Sequence, residues 1–215
     1  MPNTRRPDVS RAVWSTGNIG SARLSVRDQT QAHIDAGGGR GGIAITRGRR
    51  RVDLRSVDSE PQPTAGEHYV CDDEYHVNYP QHDANYALRL AWDVVPGLID
   101  DAVVIEMRVS VQTDLMNTHP TLDLAVDHPS AERPPRPCDA ISRFGDQSDA
   151  AILLGPHDRP HTQNRGGRLR LFGDFLERGV IRRARPWIVW GRTLSDAELR
   201  RIHRALCQSP VPLTP

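Results

Sequence analysis

The sequence predicts an all-β protein: an antiparallel β-sandwich with one short C-terminal helix, preceded by a smaller β-rich N-terminal segment. Short runs rich in β-branched and other apolar residues recur along the 215-residue chain, and proline, glycine and aspartate separate them. One stretch shows the three-and-four spacing of an amphipathic helix. Many strand-sized runs divided by turn signals are typical of sandwiches and barrels.

The first third of the chain carries the less regular elements. Residues 1–20 begin with a polar stretch that contains arginine and proline, and we expect an extended N-terminal arm there. Residues 21–82 contain β-like runs around a glycine-rich loop at 36–42 and end in a tyrosine- and histidine-rich stretch at 67–80. Because this region is poor in apolar residues, we expect a β-rich assembly segment that neighbouring subunits hold in place.

The arginine-rich stretch at residues 41–54 is predicted to be a strand that leads through a turn into a second strand. On the first strand Ile43 and Ile45 share one face, and Ala44 and Thr46 share the other. Arg47 then lies next to the turn, where it is placed to bind backbone or a carboxylate of a neighbouring subunit.

Residues 83–208 show the clearest strand pattern and are predicted to form the sandwich. Its strand-sized runs cover residues 86–94, 102–111, 121–128, 139–145, 150–155, 168–174 and 186–192. Because Trp187 and Trp190 differ by an odd number on one strand, they are expected to face opposite sides.

The predicted helix covers residues 193–206. Ser195 is its expected N-cap, and Glu198 completes a capping box three residues later. Leu199, Ile202 and Leu206 fall on one helical face, which we expect to pack against the sandwich. Residues 209–215 are expected to form a flexible tail.

The amino-acid composition argues against several classes of protein. All 28 basic residues are arginine, the acidic residues number 27, and the formal net charge is +1. A nucleic-acid-coating protein normally shows a clear positive excess, so no nucleic-acid partner is expected. No apolar run approaches the roughly 18 residues of a spanning helix, so no membrane span is expected. Three widely spaced cysteines form no disulfide framework, and free thiols are expected.

Catalytic and metal-binding patterns are weak. His68, Cys71 and His76 gather metal-ligating atoms, but their spacing matches no closed tetrahedral site. Glu106 is a lone acid on an apolar strand, whereas jelly-roll glycoside hydrolases use paired carboxylates. There is no G-x-S-x-G motif and no phosphate-binding loop ending in lysine. We therefore predict a protein that is not an enzyme, with no cofactor and no metal site.

Residues 86–206 resemble a laminin-G-like, concanavalin-A-type jelly-roll. The resemblance is carried by "ALRLAWDV", "AVVIEMRVSV", "AISRFGDQSDAAILLG" and "GGRLRLFGD", and most specifically by "WIVWGRTLSDAELRRIH", which joins a closing strand to a short helix. This resemblance implies a lectin-like sandwich.

Residues 9–80 resemble the opening of minor tail proteins from long-tailed bacteriophages of actinobacteria. The matching pieces are "DVSRAV", "IAITRGRRRVDL" and "TAGEHYVCDDEYHVNYP". Together the two resemblances imply a minor tail or tail-tip component of the virion. Such a protein would be made in the host cytoplasm, would form a homo-oligomer among other tail proteins, and would help attachment to a host cell-surface glycan. A capsid decoration or shell subunit, a free carbohydrate-binding module and a jelly-roll hydrolase are the alternatives.

Two sets of residues are candidates for these contacts. The candidate assembly contacts are Trp14, Arg47, Arg49, Arg50 and Arg51. The candidate ligand face consists of Tyr69, Tyr75 and Trp187, because aromatic rings pack on the faces of pyranose sugars.

Overall fold

The chain forms two antiparallel sheets and one helix. The computed structural model describes residues 12–26, 29–57, 61–82, 84–99, 102–126, 136–144, 149–191 and 194–210. Residues 1–11 of the expected arm and residues 211–215 of the expected tail lie outside these ranges.

The first sheet has nine strands. In chain order they are β1 (Ala12–Thr16), β2 (Ser21–Val26), β3 (Gln29–Asp35), β4 (Ile43–Arg47), β5 (Arg50–Ser56), β10 (Thr121–Val126), β11 (Arg136–Pro137), β14 (Thr162–Asn164) and β15 (Arg168–Phe172). Their spatial order is β1-β2-β3-β4-β5-β10-β15-β14-β11.

The second sheet has eight strands. They are β6 (Glu67–Cys71), β7 (Glu74–Tyr79), β8 (Ala87–Val94), β9 (Ala102–Gln112), β12 (Ile141–Phe144), β13 (Ala150–Leu153), β16 (Ile181–Ala184) and β17 (Trp187–Gly191). Their order is β12-β13-β17-β9-β8-β7-β6, and β16 pairs with the second half of β9. The helix α1 spans Asp196–Gln208. The predicted all-β sandwich with one short C-terminal helix is confirmed.

Alternation of apolar and polar residues determines which face of each sheet is turned toward the core. On β9, for example, Ile105, Met107, Val109 and Val111 are buried in one core cluster. The inward residues of both sheets join in that cluster, which therefore fills the space between the layers. The expected facing of Ile43 and its neighbours on β4 is confirmed, since β4 buries its isoleucines in the same cluster.

Helix α1 covers part of the outer side of the eight-stranded sheet. Its buried face, Leu199, Ile202 and Leu206, packs with Trp187 and Val189 in a second apolar cluster. The predicted capping box is present, and it begins the helix after its N-cap serine. Trp190 lies instead in the core between the sheets, so the prediction that Trp187 and Trp190 face opposite sides is confirmed.

The expected division between residues 82 and 83 corresponds to no break in either sheet. Strand β5 pairs with β10, and β7 pairs with β8, so both sheets run across that point. The expected arm also contributes a strand, because β1 forms a hairpin with β2. The N-terminal third therefore obtains hydrogen-bonding partners and apolar cover from the rest of its own chain. The expected contacts with neighbouring subunits stay a prediction. No helix of the described ranges is long and apolar enough to cross a membrane.

Candidate ligand-binding face

A polar surface lies on the outer side of the eight-stranded sheet, beside the part that α1 covers. We call it the polar face and define it by the outward side chains of four neighbouring strands: Tyr69, Glu74, His76, Asp93, Glu106 and Arg108. Cross-strand register aligns them in two rows. In one row Asp93 lies opposite Glu106, and in the other row His76 lies opposite Tyr69. In-register partners on one face lie within side-chain reach of each other.

Tyr69 and His76 form an aromatic pair on this face. Their ring centroids are 4.9 Å apart and their planes differ by 7°, so the rings are stacked. Tyr69 is 43% exposed because β6 is the edge strand of its sheet. One side of its ring rests on the imidazole, and this support orients the phenol toward solvent.

Glu74 links the aromatic pair to the charged groups. Its carboxylate Oε2 lies 3.0 Å from Nε2 of His76 and also pairs with the guanidinium of Arg108. Burial lowers the pKa of His76 below its ordinary value, against the opposing effect of Glu74. The imidazole is therefore held mainly neutral at pH 7, and it can accept or donate a hydrogen bond.

Glu106 is held from several sides. The indole Nε1 of Trp187 donates a hydrogen bond of 2.7 Å to Oε2 of Glu106. The same oxygen lies 3.7 Å from Arg185, and Oε1 lies 3.7 Å from Arg108. With these partners the carboxylate is fixed in position on a largely buried site.

Arg185 connects the polar face to the end of the helix. Its guanidinium donates to the carbonyl oxygens of Leu206, Ser209 and Pro210 at 3.3, 3.3 and 2.8 Å. A cation at a helix C-terminus satisfies carbonyl groups that have no partner inside the helix. The helix end and the polar face are thereby tied into one network.

Asp93 lies between two other acids on neighbouring strands. Burial raises its pKa to about 6, and the nearby carboxylates of Glu74 and Glu106 add to the rise. The pKa of Asp93 therefore lies closer to neutral pH than that of an ordinary aspartate. Its carboxyl group can donate a hydrogen bond when protonated and accept one when ionised.

The structure separates the three residues of the expected ligand face. Tyr69 is exposed, but Tyr75 is fully buried, and Trp187 is 2% exposed beneath the helix. The Tyr75 ring stacks on Trp92 at a centroid distance of 5.5 Å and lies tilted against Trp14 at 5.7 Å. The expectation of a shared aromatic surface is therefore corrected. Tyr75 follows the turn of the β6–β7 hairpin at an inward position, and helix packing covers Trp187.

The candidate assembly residues mostly contact their own chain. Trp14 is buried, and its indole donates a 2.8 Å bond to the carbonyl oxygen of Asp73. Arg47 donates to the carbonyl of Trp190 and to Gln31 at 3.1 and 3.2 Å.

The other arginines of this set differ in exposure. Arg50 makes two hydrogen bonds to Asp149, of 3.0 and 2.6 Å, and so ties the nine-stranded sheet to the loop before β13. Arg51 binds Asp53 on its own strand at 2.8 Å. Arg49, in the β4–β5 turn, is exposed. The contacts of Arg47 and Arg50 join the two layers of one molecule.

A turn separates the histidines of the metal cluster considered above, His68, Cys71 and His76. Residues Asp72 and Asp73 reverse the chain between β6 and β7, so the stretch is a hairpin and not one alternating strand. His68 accordingly contacts the hydroxyl of Tyr75 at 3.1 Å, whereas His76 lies on the polar face. Within the described ranges, no group of three or more His, Cys, Asp or Glu side chains is placed to hold a metal ion.

Sequence reasoning missed most of the polar face. It treated Glu106 as a lone acid, but Asp93 lies directly opposite it. It also did not select Glu74, Arg108 and Arg185. Polar residues at alternating positions within apolar strands were the available signal, but the strand neighbours that bring them together could not be read from the sequence.

Comparison of the chain with family models and with curated proteins gives no match.

Proposed function

We propose that this chain is a structural virion protein, a minor tail or tail-tip component of a bacteriophage, whose polar face binds a host-surface glycan. One observation carries the binding proposal: the exposed Tyr69 ring is supported by His76 and bordered on the same face by fixed carboxylates and guanidinium groups. The tail assignment is supported by the resemblance of residues 9–80.

The chemistry of the polar face suits a sugar. A pyranose ring has apolar C–H faces and a rim of hydroxyl groups. The open side of Tyr69 offers an apolar ring face, while Glu74, Asp93 and Arg108 offer acceptors and donors beside it. Sites of this type combine an apolar surface with a few placed polar groups.

Attachment by this route needs no covalent step. A shallow sheet face gives weak affinity for one sugar, and display of many copies on a particle multiplies weak contacts into avidity. Fixed side chains lose little entropy on binding, which favours recognition by a preorganised sheet.

The test is glycan binding by the full chain and two variants. Tyr69→Ala is expected to weaken binding about tenfold, because it removes one aromatic contact. Phe175→Ala is the matched control, since Phe175 is also 43% exposed but packs against His119 in the segment between β15 and β16, outside the strands of the polar face. Binding would be screened on a glycan array and quantified by calorimetry. Equal affinities for the Tyr69 variant and the unchanged chain would end the proposal.

Glycoside hydrolysis is the second candidate, favoured by the in-register carboxyl groups of Asp93 and Glu106. It predicts release of reducing sugar that Asp93→Asn abolishes while glycan binding remains.

Immunogold labelling of purified virions separates a tail component from a capsid decoration subunit. The label lies on the tail in the first case and on the capsid in the second.

A further inference from the structure

The outer side of the nine-stranded sheet carries a second charged surface. We call it the arginine face and define it by the outward residues of β5, β10 and β15: Arg51, Asp53, Arg55, Asp123, Arg168 and Arg170. The inward residues of these strands, such as Leu54, Leu124 and Leu169, lie in the core between the sheets. The arginine face is thus on the opposite side of the molecule from the polar face.

The first half of this face is a carboxylate between two arginines on β5. The side chain of Asp53 is 6% exposed, and its Oδ1 accepts from Nε of Arg51 at 2.8 Å. Arg55 reaches the same oxygen at 3.4 Å and keeps 51% of its side chain exposed. The buried carboxylate orients both guanidinium groups and neutralises one of the two charges.

The second half repeats this arrangement across β10 and β15. Asp123 is buried and receives two hydrogen bonds from Arg170, of 2.9 and 3.1 Å. Arg168 lies 4.0 Å from the same carboxylate. Its Nε is buried and has no hydrogen-bond partner among the residues that the structure describes.

Strand register joins the two halves into one surface. Asp123 lies opposite Arg55, and Ala125 lies between Asp53 and Arg168. Four arginines and two aspartates give this surface a formal charge of +2, against +1 for the whole chain. A short alanine side chain between the two halves leaves the long arginines room to reach a shared ligand.

We propose that the arginine face binds an acidic polysaccharide, a polymer that carries carboxylate or phosphate groups along a sugar chain. Guanidinium groups match the planar geometry of carboxylate and phosphate, and groups already oriented by buried aspartates lose less entropy on binding. None of the six residues that define this face is aromatic, and Phe172 at the end of β15 packs against the core cluster. The face therefore offers no ring for stacking nucleobases, which favours a sugar polymer over a single-stranded nucleic acid. This surface goes beyond the glycan site proposed above and does not depend on it.

The experiment measures binding of the full chain to defined polymers at several NaCl concentrations. Polygalacturonate supplies carboxylates, inorganic polyphosphate supplies phosphates, and neutral dextran and single-stranded DNA serve as comparison polymers. We expect binding to polygalacturonate, to polyphosphate or to both, weakening as salt rises, and none to dextran. The stronger of the two acidic probes identifies the favoured group.

The decisive variant is Arg55→Gln with Arg168→Gln. It removes two charges, while Arg51 still pairs with Asp53 and Arg170 with Asp123, so folding should be kept. We expect about fivefold weaker binding and a shallower salt dependence. Arg200→Gln with Arg204→Gln on the exposed side of α1 is the control with the same loss of charge.

Three outcomes would overturn the proposal. They are no binding to either acidic probe at low salt, an equal loss in the control variant, and tighter binding to DNA than to both acidic probes. If the double variant does not fold, Arg55→Gln alone is measured in the same way, and unchanged affinity for it would have the same meaning.

Discussion

At the scale of single residues, the polar face concentrates acids on a partly buried surface. Asp93, Glu74 and Glu106 lie on three neighbouring strands, and Arg108 contacts the latter two. Each carboxylate that loses water needs a partner or a proton. Glu106 accepts a hydrogen bond from the indole of Trp187 and lies near two arginines, whereas the pKa of Asp93 is raised.

The raised pKa of Asp93 predicts a pH dependence of stability. Because the pKa is about 6 in the folded chain and 3.8 ordinarily, the folded state binds this proton more tightly than the unfolded state. The contribution of this group is therefore favourable at pH 4 and is lost as the pH rises through 6. Asp93→Asn should raise the free energy of unfolding by about 1 kcal/mol at pH 7, a value reduced for partial exposure.

Urea denaturation at pH 4 and pH 7 measures this effect. The gain of the Asp93→Asn variant should disappear at pH 4, where the native carboxyl is already protonated. Asp114→Asn, at an exposed loop position, is the control and should change nothing at either pH. A variant that is less stable than the unchanged chain at pH 7 would contradict the assigned cause of the shift.

At the scale of elements, helix α1 shows what a local pattern can predict. Its N-cap, its capping box and its buried face all follow from residues within one short stretch, and each prediction is confirmed. The sharper strands of residues 86–191 were also predicted, because alternation and turn residues are local signals. Strand β3, "QTQAHID", was missed because Ala32 and Ile34 are the only apolar residues in its sequence.

Removing one buried side chain of α1 tests its role in the sandwich. Ile202 is fully buried in the cluster with Trp187 and Val189. Ile202→Ala should lower the free energy of unfolding by about 3 kcal/mol, because it leaves a cavity under the helix. Thermal and urea denaturation measure the loss. Arg201→Ala, at the exposed neighbouring position, should cost less than about 0.5 kcal/mol, and a similar loss in both variants would exclude this explanation.

At the scale of the whole molecule, strands from both halves of the chain share both sheets. The predicted boundary at residues 82 and 83 followed a real change in composition, because the first third is poorer in apolar residues. In the structure, however, that third does not form a separate sheet. Its strands pair with β8 and β10 of the second half, and Arg47 and Arg50 cross from one sheet to the other.

This shared architecture predicts that the full chain unfolds in one cooperative transition. The separate fragments 1–82 and 83–215 should show no cooperative thermal transition, since each leaves β-strand edges and apolar faces without partners. Circular dichroism melting of the full chain and of each fragment makes the comparison. A sharp transition in either fragment would show that it folds independently.

The sequence by itself determined the elements whose signals are local: strand alternation, the capped helix, and the opposite facing of Trp187 and Trp190. Only the tertiary structure decided which strands are neighbours. For that reason it decided that Asp93 faces Glu106, that Tyr75 is buried, and that two aspartates each hold a pair of arginines. Periodicity is a property of adjacent residues, whereas strand pairing depends on contacts between residues far apart in the chain, which one sequence does not reveal.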